Sequence, residues 1–375
     1  MKPRPRRPRL LLSLALLAVI VSVIAFAPRS ARAATGPRTI TGTLDNAAYV
    51  IDVPANWNGT LVLYSHGYVA PGSPNPAQDA GDPLTKAFLL SQGYALAGSA
   101  YSQTGWAIQQ AFQDQMDLVN LFDQTVGQPT RTIAWGHSLG GIITAGLVQL
   151  FPNRFNAALP MCGVVSGGVA TWNVALDSQF AFATLLGNGA PLQLVHITNP
   201  NGNLGLAESI LSNAQSTPQG RARIALSGAL GDLPGWFSSA SPEPVPDDFA
   251  TQEVNQFLWQ SQVDFPFVFA LRAELEFRAG GNPSWNTGVD YRTEFEHSSD
   301  AGEVRALYQQ AGLDLNADLD ALQNAPRIAA DPNAVNYLNQ FISFNGDLSI
   351  PVLTMHTTGD GLVVNQDEAA YASIV

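Results

Sequence analysis

The stretch that most constrains this chain is Arg131-Thr-Ile-Ala-Trp135, followed without a linker by Gly136-His137-Ser138-Leu139-Gly140-Gly141 and then by the apolar run Ile142 to Phe151. The first segment reads as a buried strand and the last as a helix. A junction this short has room only for small residues at Gly136 and Gly140. It lifts Ser138 to the N-terminal end of the helix, where the dipole favours developing negative charge. A chain with 33 glycines meets Gly-x-Ser-x-Gly by chance often enough that the pattern alone means little. The strand before it and the helix after it give it weight.

The flanking sequence repeats the alternation of strand and helix. Tyr49 to Val53 and Thr60 to Ser65 are rich in strand formers and are separated by the turn dipeptide Asn58-Gly59. Tyr94 to Gly98 is a third strand. Phe112, Met116, Val119, Phe122 and Val126 recur at helical spacing, and Ala157 to Val164 is one more buried strand. Residues 166–345 then break the rhythm as a long, mostly helical segment punctuated by turn clusters at 199–202, 241–244 and 280–283. Ile350 to Met355 resumes the strand pattern, with Pro351 near its start, and Gln366 to Val375 reads as a helix. The fold class is therefore α/β, a mostly parallel sheet carrying a large, mainly helical cap insertion. The expected organisation is a leader over 1–33, a core in two parts over 34–165 and 346–375, and the cap over 166–345.

Charge and composition remove several classes of function. Residues 1–33 hold 7 of the 18 Lys and Arg and none of the 30 Asp and Glu, so the remainder carries 11 against 30. Such a surface repels nucleic acid and anionic lipid. The basic N-terminus, the apolar run Leu10 to Ala27 and Ala31-Arg32-Ala33 read as an export signal cut after Ala33, with an uncleaved anchor as the alternative. The expected protein is secreted and has no membrane partner once cleaved. Nothing in the sequence assigns an oligomeric state. Cys162 is the single cysteine and reads as a small buried hydrophobe. No metal framework is expected, since His66, His137, His196, His297 and His356 show no paired spacing. Asp314, Asn316, Asp318 and Asp320 imitate a calcium loop, but Leu319 and Ala325 stand where Gly and Glu are needed, so they read as a solvated acidic face.

A serine hydroxyl becomes a nucleophile only when it is held in place, given a base, and provided with donors aimed at the oxyanion. Ser138 is the candidate. The N–H of Leu139, the next residue, is one expected donor. The second is expected from Tyr68 in Ser65-His66-Gly67-Tyr68, where Gly67 lets the backbone approach; His66 and His137 read as packing residues beside the site. These segments, together with Thr358-Gly359-Asp360-Gly361, resemble the α/β-hydrolase superfamily, in particular its secreted bacterial esterase- or lipase-like members. The resemblance covers about 40–164 and 346–375. It implies a serine hydrolase without a cofactor, a triad acid at Asp360, preferred over Asp367, and a histidine base following the acid in chain order.

No histidine follows Asp360 within residues 1–375. The resemblance therefore implies that the sequence is a C-terminally truncated record, with the base beyond residue 375. His356 and His297 are the internal substitutes, without support from spacing. Aromatic residues crowd the insertion, among them Phe180, Phe182, Trp236, Phe257, Trp259, Phe265 and Phe267, and suit either a cap core or an apolar acyl pocket. The expected substrate is a small-molecule or polymeric ester with an apolar portion. The rivals are a peptidase of the same fold, with Glu274, Glu276, Glu294 and Glu296 available for an amino terminus, and a non-catalytic binding module.

Overall fold

The computed structural model describes residues 36–375, so the export signal and its cleavage point lie outside the described residues. Six strands form the sheet: β1 (Arg38–Leu44), β2 (Ala47–Val53), β3 (Thr60–Ser65), β4 (Ala95–Ser99), β5 (Arg131–His137) and β6 (Ala157–Met161). Their order is β1-β2-β4-β3-β5-β6. The joins β1/β2 and β2/β4 are antiparallel and the remaining three parallel. β1 has no counterpart in the sequence reading. It is held by a two-residue turn at Asp45-Asn46, whose φ of 49° and 70° match the twist of a tight hairpin. The Asn58-Gly59 turn leads from β2 to β3, but these strands are not neighbours; β4 lies between them.

Every residue of β3 is buried, because both sheet faces are covered. Leu61 and Leu63 pack with Ala97, Ala134 and the helices α2 (Ile108–Thr125) and α3 (Leu139–Leu150). Val62 and Tyr64 point the other way, toward Leu96, Trp135 and helix α1 (Pro83–Ser91). The period of two thus sends alternate side chains into two separate cores. Beyond β6, an extended run over 351–355 lies parallel to that strand. Leu353 donates to the Ala158 carbonyl at 3.0 Å, and Cys162 donates to the Met355 carbonyl at 2.7 Å.

Helices from α4 (Gly168–Leu186) to α12 (Pro332–Phe341) occupy the segment between β6 and that run. They build a core of their own around Phe182, Phe265, Phe269, Ile224, Phe295 and Tyr308. Most of the aromatic residues noted in the insertion go there. The helical path Phe249 to Ala279 is interrupted by two π-helical turns, Gln260–Asp264 and Phe267–Leu271, on either side of Pro266. Proline has no N–H to donate, and widened turns are a usual way for a helix to pass such a residue.

Asp318 and Cys162 differ from what the sequence predicts. Asp318 is not on a solvated face: it is buried, bonded to Arg223 at 2.7 Å and accepting from the Tyr308 hydroxyl at 2.9 Å. Asp314 instead caps the helix Leu315–Asn324, which turns Asp318 inward. Cys162 is only half-buried, because a φ of 41° at the end of β6 swings it out of the strand toward Thr357. Among the described residues no helix is long and apolar enough to cross a membrane.

The insertion also buries acids. Glu303, 3% exposed, shares the Gln256 amide with Asp300. Burial, with Asp300 and Glu253 beside it, pushes its carboxyl up from 4.5 to about 9. The folded protein therefore keeps a proton that the unfolded chain releases, and stability falls as pH rises through that window. Glu303→Gln removes the penalty. The variant is expected to exceed the parent by roughly 1–3 kcal/mol near pH 9, with the gap closing toward pH 5. Urea unfolding across pH measures this, and parallel curves for the two proteins would contradict it.

Candidate active site

Ser138 adopts φ 56° and ψ −125°, a conformation that a residue with a side chain enters only when its surroundings force it. The forcing is local. Ser138 N–H donates to the Met161 carbonyl at 3.0 Å, which ties the turn to the end of β6. A Cβ at Gly140 would lie 1.9 Å from the Ser65 carbonyl oxygen, and one at Gly136 2.4 Å from the same atom. The elbow therefore presses directly on the end of β3. Thr144 Oγ1 donates to the Gly140 carbonyl at 2.7 Å and closes the first turn of the helix behind it.

Leu139 is the first residue of α3, so its N–H has no acceptor inside the helix. The loop after β3 runs past it. A Cβ at Gly67 would sit 3.4 Å from the Ser138 Cβ, which shows how closely that backbone passes the nucleophile position. Tyr68 follows and lines the same pocket as Ser138 and Leu139. His66 and His137 frame the loop. His66 stacks on Tyr101 with ring centroids 4.1 Å apart, and His137 Nδ1 lies 2.6 Å from the Tyr64 hydroxyl. Burial lowers both imidazoles below their ordinary pKa, so each is neutral at neutral pH.

Asp360 sits in the turn after the run over 351–355. Its Oδ1 accepts the N–H groups of Leu362 at 3.1 Å and Val363 at 3.0 Å. Residues Gly361 to Val364 of the same turn line the Ser138 pocket, as does Asp367 at the start of the helix Gln366–Ile374. His356 is 3.8 Å from Asp360, but its Nε2 faces the Val363 carbonyl at 2.6 Å and its Nδ1 faces Glu368 at 3.1 Å. His196 and His297 are exposed on the insertion. Among the described residues no histidine lines the pocket. The ligating atoms of Cys162, His356 and Asp360 lie within 4.8 Å of one another, yet both His356 nitrogens are engaged as described.

The pocket walls are aromatic. Tyr68 meets Phe267 edge-on at 5.2 Å, and Trp106 meets Trp172 edge-on at 5.9 Å. Phe265, Val268 and Leu233 of the insertion complete an apolar lining. The four glutamates available for an amino terminus do not join it. Glu274 pairs with Arg278 at 2.6 Å and accepts the Trp106 N–H, Glu276 pairs with Arg272 at 3.0 Å, and Glu296 pairs with Arg305. Glu294 is exposed.

A strained serine between a parallel strand and a helix, facing a loop from the neighbouring strand, is the arrangement that the fold's hydrolytic members share. Residues 91–179, which span that elbow, match the prolyl oligopeptidase family. The chain has the α/β-hydrolase fold. The chain is 29% identical to an o-phthalyl amidase of Xanthobacter agilis over 345 residues, 84% of this chain and 74% of that protein. Among solved structures it is similar to feruloyl esterase B of Aspergillus oryzae, at 14% identity and TM-score 0.44, over 90% of this chain and 68% of that one. It is also similar to an arylesterase at 16% identity and TM-score 0.28, over 40% of this chain; the match spans about half of the arylesterase, 52%.

Gln179, Gln260 and Asp264 are among the pocket residues that the sequence alone did not mark. Polar residues inside helices carry no signal of their own, and only the Pro266 interruption marks the neighbourhood as irregular. The tight elbow gives a direct test. Gly140→Ala is expected to lower stability by about 3 kcal/mol or to prevent accumulation of folded protein, since backbone atoms stand in the way of the new methyl group. Denaturant midpoints measure it, and an unchanged midpoint would contradict the close approach.

Proposed function

We propose that this α/β-hydrolase cleaves the acyl bond of carboxylic acid derivatives through Ser138, and that its acyl group is flat and apolar. The observation that carries the reading is Ser138 itself, held at φ 56° at a helix N-terminus and opening into a pocket walled by Tyr68, Trp106, Trp172, Phe265 and Phe267. Ser138 Oγ attacks the carbonyl, and the N–H groups of Leu139 and Tyr68 hold the oxyanion. Asp360, fixed by two backbone N–H groups, is the acid that would orient a histidine base. Water then releases the acid, and no cofactor takes part. The basic and apolar N-terminus supports export of the protein, with small or polymeric substrates met outside the cell.

An ester is the first bond class, because an alkoxide or phenolate leaves more readily than an amine. The o-phthalyl amidase relative favours amides as a second class. The two readings share one site: a triad that expels an amine also expels the matching alcohol. The peptidase reading with an acidic amino-terminal clamp loses support, since Glu274, Glu276 and Glu296 are each held by an arginine.

Turnover of phenyl benzoate and benzanilide by the full-length protein tests the reading. Ester hydrolysis is expected, with anilide hydrolysis slower or of similar rate, and Asp360→Asn should cut both by about three to four orders of magnitude. Asp367→Asn should leave most of the rate. Turnover of neither substrate, together with inert Ser138, would favour a binding module. A larger loss at Asp367 than at Asp360 would reassign the acid.

A further inference from the structure

Resting on that reading, we propose that Gln179 and Gln260 form a polar end to the acyl pocket and select acyl groups that carry a neutral hydrogen-bonding substituent, a hydroxyl or a carboxamide. Both side chains come from the insertion, from α4 and from the first π-helical turn, and both line the pocket that holds Ser138. Gln179 is 2% exposed, and neither its Nε2 nor its Oε1 has a partner among the described residues. Gln260 is 1% exposed. Its Nε2 donates to the Ile224 carbonyl at 3.2 Å and to Ser227 Oγ at 3.3 Å, which fixes the amide, while its Oε1 has no partner. Buried amides are almost always paired, and those that are not call for an explanation.

A substrate group supplies that explanation, and the atoms left over define its chemistry. Gln179 Nε2 is a donor in need of an acceptor. Gln179 Oε1 and Gln260 Oε1 are acceptors in need of donors. A hydroxyl or a carboxamide offers both. A carboxylate offers acceptors only, and an ammonium offers donors only. The rest of the lining agrees with this division. Among the described residues it contains no Lys, Arg or His that could pair with a second carboxylate on the acyl group. This sets the pocket apart from one built for an o-phthalyl group, which carries such a carboxylate. A site whose amides stay unpaired without the substituent rejects the unsubstituted analogue more strongly than apolar contact alone can do.

The test is kcat/KM of the full-length protein on phenyl esters of benzoic acid and of its hydroxy, carbamoyl, carboxy and aminomethyl derivatives, substituted at the 3- or 4-position. Each value is divided by the ester's rate of alkaline hydrolysis to remove ring electronics. The hydroxy or carbamoyl ester is expected to exceed the benzoate by about tenfold or more, and the carboxy ester to fall below it. In Gln179→Leu the ratio of substituted to unsubstituted ester should collapse toward one. Hydrolysis of benzoate with no preference among the derivatives would overturn this inference and leave the acyl-hydrolase reading standing, and a preference for the carboxy or aminomethyl ester would overturn it equally. No hydrolysis of any ester, with Ser138 unreactive, would overturn the underlying reading instead.

Discussion

The contact between the Ser138 elbow and the Ser65 carbonyl is the constraint on which the rest of the site depends. Gly136 and Gly140 both crowd that one oxygen atom, and with no side chain on either glycine β5 and α3 come close enough to β3 for the loop at Gly67 to pass beside Ser138. The same compression forces Ser138 into a positive φ, and Ser138 lines the pocket. Strain at one residue is thus sustained by packing at three others. Tyr64 and Trp135 lock the sheet face beneath, and Gln115 ties the end of β3 by donating to the Tyr64 carbonyl at 2.7 Å and to Ser65 Oγ at 2.9 Å.

From that point the division of labour follows. The sheet and its helices fix the nucleophile and both proposed oxyanion donors, while the insertion supplies most of the pocket wall. Aromatic pairs bridge the two parts, Tyr68 on the loop after β3 against Phe267 in the insertion, and Trp106 against Trp172. A substrate held there is shielded from water along its apolar length and meets polar groups at Ser138 and at the buried glutamines. Reaction chemistry and selectivity therefore rest on different elements, which lets one change without the other.

The elbow was legible in the sequence because its glycines, serine, strand and helix are contiguous, so local spacing carried the whole pattern. The loop at Gly67-Tyr68 and the turn at Asp360 were legible for the same reason, each sitting at the end of an apolar run. Other features depend on contacts far apart in the chain. β1 is mostly exposed and lacks an apolar pattern, and its hairpin rests on the positive φ of Asp45 and Asn46. Asp318 looked solvated because its partners Arg223 and Tyr308 come from other helices. The glutamines of the pocket gave no sign at all, because a buried, unpaired amide is defined by what surrounds it.

Covalent capture tests whether Ser138 is the nucleophile. The full-length protein is treated with a fluorophosphonate, digested and mapped by peptide mass spectrometry. A single adduct is expected on the peptide that carries Ser138, lost in Ser138→Ala while the fold is retained. An unmodified Ser138, or an adduct on another residue that survives the Ser138→Ala change, would contradict it.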